Sequence, residues 1–323
     1  MAQRKRSIGK GVANRCPRSR AGPALVLDRQ GLAASGAGPV AMRIFCDVDL
    51  PGDPVAVADY VAAALSRSRQ AEPSLVVLGA GVGALSGVPD EGNASFRRAI
   101  LTWARQFGAS LPMPHPHVFV GVDGFSRSGD AVAQTLVSVA SDNQLNVTWK
   151  STPLGAEKHF LMSLRFQDGT LAPDVVTRNN HVFHLSEEFG VLSLICHDLT
   201  SFARTRWLPA QQSTSLFARV RQQFRRLLTR GEATRTAVSV WHAVPWPSIG
   251  RIPSSFLNGA SHLEAGTIPV VRHGQIIDAR IPRCRVVAVS RVPSSRGSEG
   301  DFAKLSALMP CHWPSIDVWM RPS

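Results

Sequence analysis

The chain has 323 residues, 44% of them hydrophobic and 18% charged, enough apolar material for one large α/β domain or two small ones. No apolar stretch reaches the ~18 residues of a spanning helix, and the first forty residues lack the apolar block of a secretory leader, so neither a membrane partner nor export is expected. The net charge of +13 invites a nucleic-acid reading, but residues 1–41 hold eight basic residues (Arg4, Lys5, Arg6, Lys10, Arg15, Arg18, Arg20 and Arg29) against Asp28 alone. With so much of the excess in one short segment, no specific nucleic-acid partner is expected.

Residues 1–41 are rich in Gly, Ala, Ser and Arg without any period, and they read as a disordered basic extension. From Met42 the texture changes. "MRIFCDVDL" reads as a first strand, and "PGDPVAVADYVAAALSRSRQ" as a helix with Pro54 in its first turn. "SLVVL" is a buried strand, Ala94 to Phe107 a second helix, and "HVFVGV", "AQTLVSVA" and "QLNVTWK" form a meander of strands. "FGVLSLICHDL" holds a further strand, and "STSLFARVRQQFRRLLTR" an amphipathic helix whose arginines form its solvated face. "TAVSVWHAV", "TIPVVRHG" and "CRVVAVSRV" supply the last expected strands. Beyond Pro293 the chain turns polar. The expected organisation is therefore a basic extension over 1–41, one mixed α/β domain over 42–293 and a tail over 294–323.

The five cysteines are scattered with no C-x-x-C pair, which argues against a zinc site or a disulfide framework and for a reducing, cytoplasmic setting. "HPH" at His115–His117 and the pair His181 and His184 lack the partners a metal site needs. Neither a metal nor a cofactor is expected.

Two stretches carry chemistry. In "LVVLGAGVGALSG", Gly79, Gly81 and Ala84 follow a strand as in the dinucleotide fingerprint G-x-G-x-x-[GA]. A Rossmann NAD(P)-binding oxidoreductase is thus one reading, although Gly87, Pro89 and Gly92 interrupt the helix that the fingerprint requires. The second stretch is "GVLSLICHDLTSFARTR", where an apolar strand ends in Cys196, His197 and Asp198. A cysteine at a strand's C-terminal end is placed to face a cleft. Neighbours on an extended chain point opposite ways, so His197 is not expected to be the base for Cys196.

This stretch resembles the nucleophile motif of the carbon–nitrogen hydrolase (nitrilase) superfamily, with Ile195, Cys196 and Asp198 in place and Arg204 or Arg206 downstream. "NVTWKSTPLGAEKHF" resembles that family's lysine motif, which puts Lys150 at the catalytic lysine and Glu157 near its secondary glutamate. The resemblance implies a divergent member with an α-β-β-α sandwich fold and a homodimer. It also implies thiol-dependent hydrolysis of a small-molecule amide or nitrile through a thioester on Cys196. His197, Asp198, Trp241 and His242 are expected to line the substrate site. The family's glutamate base falls on Ala80, so the glycine run is read as an altered base-bearing loop, with Glu91 or Glu157 as the substitute acid. A relative that keeps the fold but only binds or scaffolds is the alternative.

Overall fold

The computed structural model describes residues 24–31, 39–68, 72–88, 93–128, 132–152, 175–204, 216–230, 234–244, 252–293 and 297–322. In chain order the elements are β1 (Ala24–Gly31), β2 (Ala41–Cys46), α1 (Pro54–Arg67), β3 (Leu75–Val88), α2 (Asn93–Ser110), β4 (His117–Ser126), β5 (Val132–Val139), β6 (Leu145–Trp149), α3 (Val175–Arg178), β7 (Val182–His184) and β8 (Gly190–Ile195). A 3-10 turn over Cys196–Phe202 follows, then α4 (Leu216–Arg230), β9 (Thr234–Trp241), α5 (Ser254–Ala265), β10 (Thr267–Arg272), β11 (Gln275–Arg280), β12 (Arg285–Ser290), α6 (Glu299–Leu308) and β13 (Ser315–Arg321).

Seven strands form one sheet in the order β1-β13-β2-β3-β4-β5-β6, and four form a second in the order β12-β9-β8-β7. The first sheet is parallel from β13 to β4 and antiparallel through the β4-β5-β6 meander. In the second, β12, β9 and β8 run parallel and β7 antiparallel.

The period-2 alternation of the strands sorts their side chains into two cores. From β2 and β3, Met42, Ile44, Val76 and Leu78 pack under α1 and α2, meeting Val57, Val61, Ile100 and Phe107. The opposite residues, Ala41, Phe45, Leu75 and Val77, meet the second sheet, whose own cover includes Phe224 of α4 and Phe256 of α5. The result is one domain layered helix, sheet, sheet, helix, the α/β sandwich that the sequence led us to expect.

Elements also lie outside residues 42–293, and the glycine run is part of a strand. Within the segment read as an extension, Ala24–Gly31 is a strand, paired antiparallel with β13. The segment after Pro293 is no tail. It supplies α6 and then β13, which inserts between β1 and β2 and buries Trp319 fully. The glycine run opens no helix: it lies within β3, which runs to Val88 with shifts in its register to β4, so Gly79, Gly81 and Ala84 do not lead into a helix N-terminus that could hold a pyrophosphate. Its glycines serve close packing instead. A Cβ on Gly79 would lie 2.4 Å from the backbone nitrogen of Arg291, and Gly81 has φ 71° with Asp123 Oδ2 2.9 Å from its own missing Cβ.

Candidate active site

Three neighbouring strands of the first sheet bring a polar row to the face that meets the second sheet. Asp123 of β4 stands directly opposite Gln134 of β5 in the antiparallel register. Lys150, one residue past β6, continues the row, its backbone N–H donating to the carbonyl of Gln134 at 3.1 Å. Residues paired this way share a face, so three polar side chains lie side by side in an otherwise apolar layer. All three are buried.

The second sheet answers from the C-terminal ends of two adjacent parallel strands. Ile195 of β8 pairs with Val240 of β9, so the residues that follow, Cys196 and His242, emerge at the same end of the sheet. Cys196 begins the 3-10 turn with φ 48°, a left-handed conformation that costs a non-glycine residue about 1–2 kcal/mol. Such strain is kept where the surrounding structure dictates it. Here α5 presses on the turn, and Asp198 ties it down.

The two groups of side chains join in one network. His242 Nε2 lies 3.0 Å from Asp123 Oδ2, and Cys196 is near enough to act electrostatically on the ring. Gln134 bridges the network, accepting from Lys150 Nζ at 2.5 Å through Oε1 and setting its amide nitrogen against the His242 ring. Burial disfavours charge on that ring, but the hydrogen bonds and negative charge of Asp123 and Cys196 outweigh it and hold its pKa up at about 10. His197 behaves oppositely. Burial, then the nearby charge of Lys150, pushes it down to about 4.

The expected site residues thus divide. Cys196, Lys150, His197 and His242 are brought together. Asp198 is not part of any lining: it is fully buried, and its Oδ1 accepts from the backbone N–H groups of Ser151 and Thr152 and the Thr152 hydroxyl at 3.0, 2.8 and 2.6 Å. It is a clasp between the lysine-bearing strand end and the cysteine turn, because a buried carboxylate must have its oxygens satisfied. Trp241 belongs to the core, 2% exposed, with its ring edge-on to Phe256 at 4.7 Å and its N–H donated to Ser239. Arg204 turns away toward Asp278 of β11. Glu91, Glu157 and Arg206 lie outside the described residues. Ala80 is buried in the core between the sheets.

Asp123 and Gln134 escaped the sequence reading. The signal was there in "GVDGFS" and "AQTLVSV", where an acid and an amide interrupt strands that are otherwise apolar. The paired histidines resolve as packing groups where described: His181 is fully enclosed between Ser151 Oγ and the carbonyl of Ser193, each at 2.7 Å. Among the described residues no cluster of three His, Cys, Asp or Glu side chains has metal-binding geometry, and no helix is long and apolar enough to cross a membrane.

No family model matches the chain, and no curated protein matches it. Among solved structures the chain is similar to an amidase from Nesterenkonia sp., with 13% identity and a TM-score of 0.36 over 74% of this chain and 78% of that one. It is similar to a cysteine-to-serine mutant of the Nesterenkonia AN1 amidase from the nitrilase superfamily, at 14% identity and a TM-score of 0.38 over 76% and 90% of the two chains. It is also similar to a carbon-nitrogen hydrolase from Helicobacter pylori G27, at 11% identity and a TM-score of 0.44 over 84% and 79%. The chemistry of this chain rests on its own residues.

Proposed function

We propose that the protein is a thiol hydrolase that cleaves a carbon–nitrogen bond of a small-molecule amide or nitrile, with Cys196 as the nucleophile. The observation that carries this reading is the convergence of a strained, half-buried cysteine with a buried lysine and a histidine cation where two sheets meet. For an amide, the sulfur adds to the carbonyl carbon and its proton passes to a neighbouring base. Lys150 then faces the oxygen that gains the electron pair and stabilises it electrostatically. Collapse of the intermediate breaks the C–N bond, the amine leaves with the proton, and a thioester remains on Cys196. Water, deprotonated by the same base, attacks the thioester; the acid departs and the thiol is restored. No cofactor is needed for these steps.

The first test is peptide-resolved iodoacetamide labelling of the native protein. Cys196 is expected to label far faster than Cys311, which is also half-buried. Equal rates would leave a fold that only binds or scaffolds. Ammonia release from short amides and nitriles is expected to vanish in Cys196→Ser and to fall about 10²–10³-fold in Lys150→Met, the usual loss for one oxyanion donor. The pairing of two copies through their helices, and a cytoplasmic setting, complete the proposal.

A further inference from the structure

We propose that His242 and Asp123 are the acid–base pair of this thiol site, His242 exchanging protons with Cys196 and the reacting nitrogen and Asp123 holding the ring, in place of a carboxylate on β3. The inference rests on Cys196 being the nucleophile.

The geometry carries it. Position 80 on β3, where the resemblance placed a glutamate, holds the buried Ala80, but the adjacent strand β4 carries Asp123 on the same face of the sheet. The Asp123 carboxylate meets the ring of His242 at 3.0 Å, and the pairing of Ile195 with Val240 brings Cys196 and His242 out at the same end of the second sheet. A histidine inserted between an acid and a thiol is the arrangement that activates a cysteine through an imidazole.

Several other features fit. Asp123 is buried and its Oδ1 has no hydrogen-bond donor among the described residues, so its contact with the ring runs through Oδ2. The His242 side chain is 34% exposed against 8% for Asp123, which gives the ring an exit for protons to substrate or solvent. The amide nitrogen of Gln134, whose oxygen accepts from Lys150, lies against the same ring.

The charges facing this pair come from several elements. Lys150 follows β6, Cys196 and His197 lie on the 3-10 turn, and Arg291 follows β12, where its charge faces Asp123. His197 stays neutral above a pKa of about 4 and cannot supply the cation. His242 can, since its ring keeps its proton up to about 10.

The proton balance closes. The proton already rests on His242 in a thiolate–imidazolium pair, and the sulfur bonds to carbon as the thiolate. The imidazolium gives its proton to the departing nitrogen as the C–N bond breaks. The ring then takes a proton from water as its oxygen attacks the thioester, and keeps it as the C–S bond breaks and the sulfur leaves as thiolate, which restores the pair. His242 is the catalytic residue, and Asp123 acts through it as a positioning residue.

The test is the pH profile of Cys196 labelling by iodoacetamide in the full chain, from about pH 5 to about pH 10. In the wild type, Cys196 is expected to remain reactive at about pH 6. His242→Gln should slow it there about tenfold or more, Asp123→Asn should move the profile the same way, and the rates should converge near pH 10, above the ordinary thiol value of about 8.5. Profiles of both variants that superimpose on the wild type overturn the proposal. So does a collapse seen only in Glu91→Gln or Glu157→Gln, which would place the base on those acids. Failure of the hydrolase reading looks different, because Cys196 would then be no faster than Cys311 in the wild type itself. If Asp123→Asn does not fold, the ¹⁵N spectrum of the wild-type histidines decides. A His242 ring still protonated at about pH 8 supports the pair, and one titrating at the ordinary ~6.5 overturns it.

Discussion

Cys196 is held at φ 48°, where an L side chain crowds its own carbonyl and glycine does not. A thiol that served only as a small apolar group would have no reason to occupy that conformation, since any strand-end glycine would fill it at lower energy. The strain therefore gives a test of purpose. Cys196→Gly and Cys196→Ala both remove the sulfur, but only glycine relaxes the backbone. Cys196→Gly is expected to be more stable than Cys196→Ala by about 1 kcal/mol in urea unfolding, with activity absent from both. Equal stability, or a more stable alanine variant, would mean that the turn does not hold this residue under strain.

At the scale of elements, the turn that begins at Cys196 is set by α5 behind it. A Cβ on Gly259 of α5 would lie 2.3 Å from the carbonyl oxygen of Leu199, closer than any real contact, and that oxygen belongs to backbone that cannot swing aside. Helix propensity alone makes Gly259→Ala stabilising by about 0.5–1 kcal/mol. The overlap works against this by about 1–3 kcal/mol, the usual range for overpacking, and should win. Gly259→Ala is expected to lower the urea midpoint and slow labelling of Cys196 together, because α5 can only back away or push the turn. A gain in stability with unchanged labelling would show that the helix does not seat the turn.

The same comparison explains what was legible in the sequence. α1 and α4 announced themselves through apolar residues at helical spacing, and Asp53 caps α1 by accepting from the Ala56 N–H at 3.0 Å. Cys196 was legible because it ends an apolar strand, and Lys150 through the resemblance of its surroundings to a known lysine motif. The Asp123–His242 contact was not, since 119 residues separate the partners and only the stacking of two sheets brings them together. β13 was missed for a related reason. "SIDVWM" places an acid within a strand, a pattern that makes sense only when the arginine partnering it, more than two hundred residues away, is in view.

For the whole molecule, that arginine closes the sandwich. Arg43 of β2 stands beside Asp317 of β13 in the parallel register, and the two are fully enclosed. Its Nε donates to Asp317 Oδ1 at 2.7 Å, and one Nη2 proton goes to the other carboxylate oxygen. The remaining protons reach the carbonyls of Ala288 on β12 at 3.0 Å, Met309 just past α6 at 3.0 Å and Ser306 within α6 at 3.1 Å. One side chain thus ties the first sheet to the second and to the C-terminal helix. Substituting methionine keeps most of the volume but strands a buried carboxylate and three carbonyls. Arg43→Met is expected to cost about 3–5 kcal/mol, the usual result of removing one partner from a buried pair. The double variant Arg43→Met with Asp317→Leu removes the stranded charge and should recover part of that loss. It should not recover all of it, because the carbonyls of Ala288, Ser306 and Met309 stay without a donor at about 1–3 kcal/mol each when buried. Urea unfolding of the two variants separates these contributions. A single variant as stable as the wild type would mean that the clasp holds nothing, and the C-terminal segment would then be docked by the pairing of β13 and by apolar packing such as that of Phe302 on Trp319, whose rings stack at 5.6 Å.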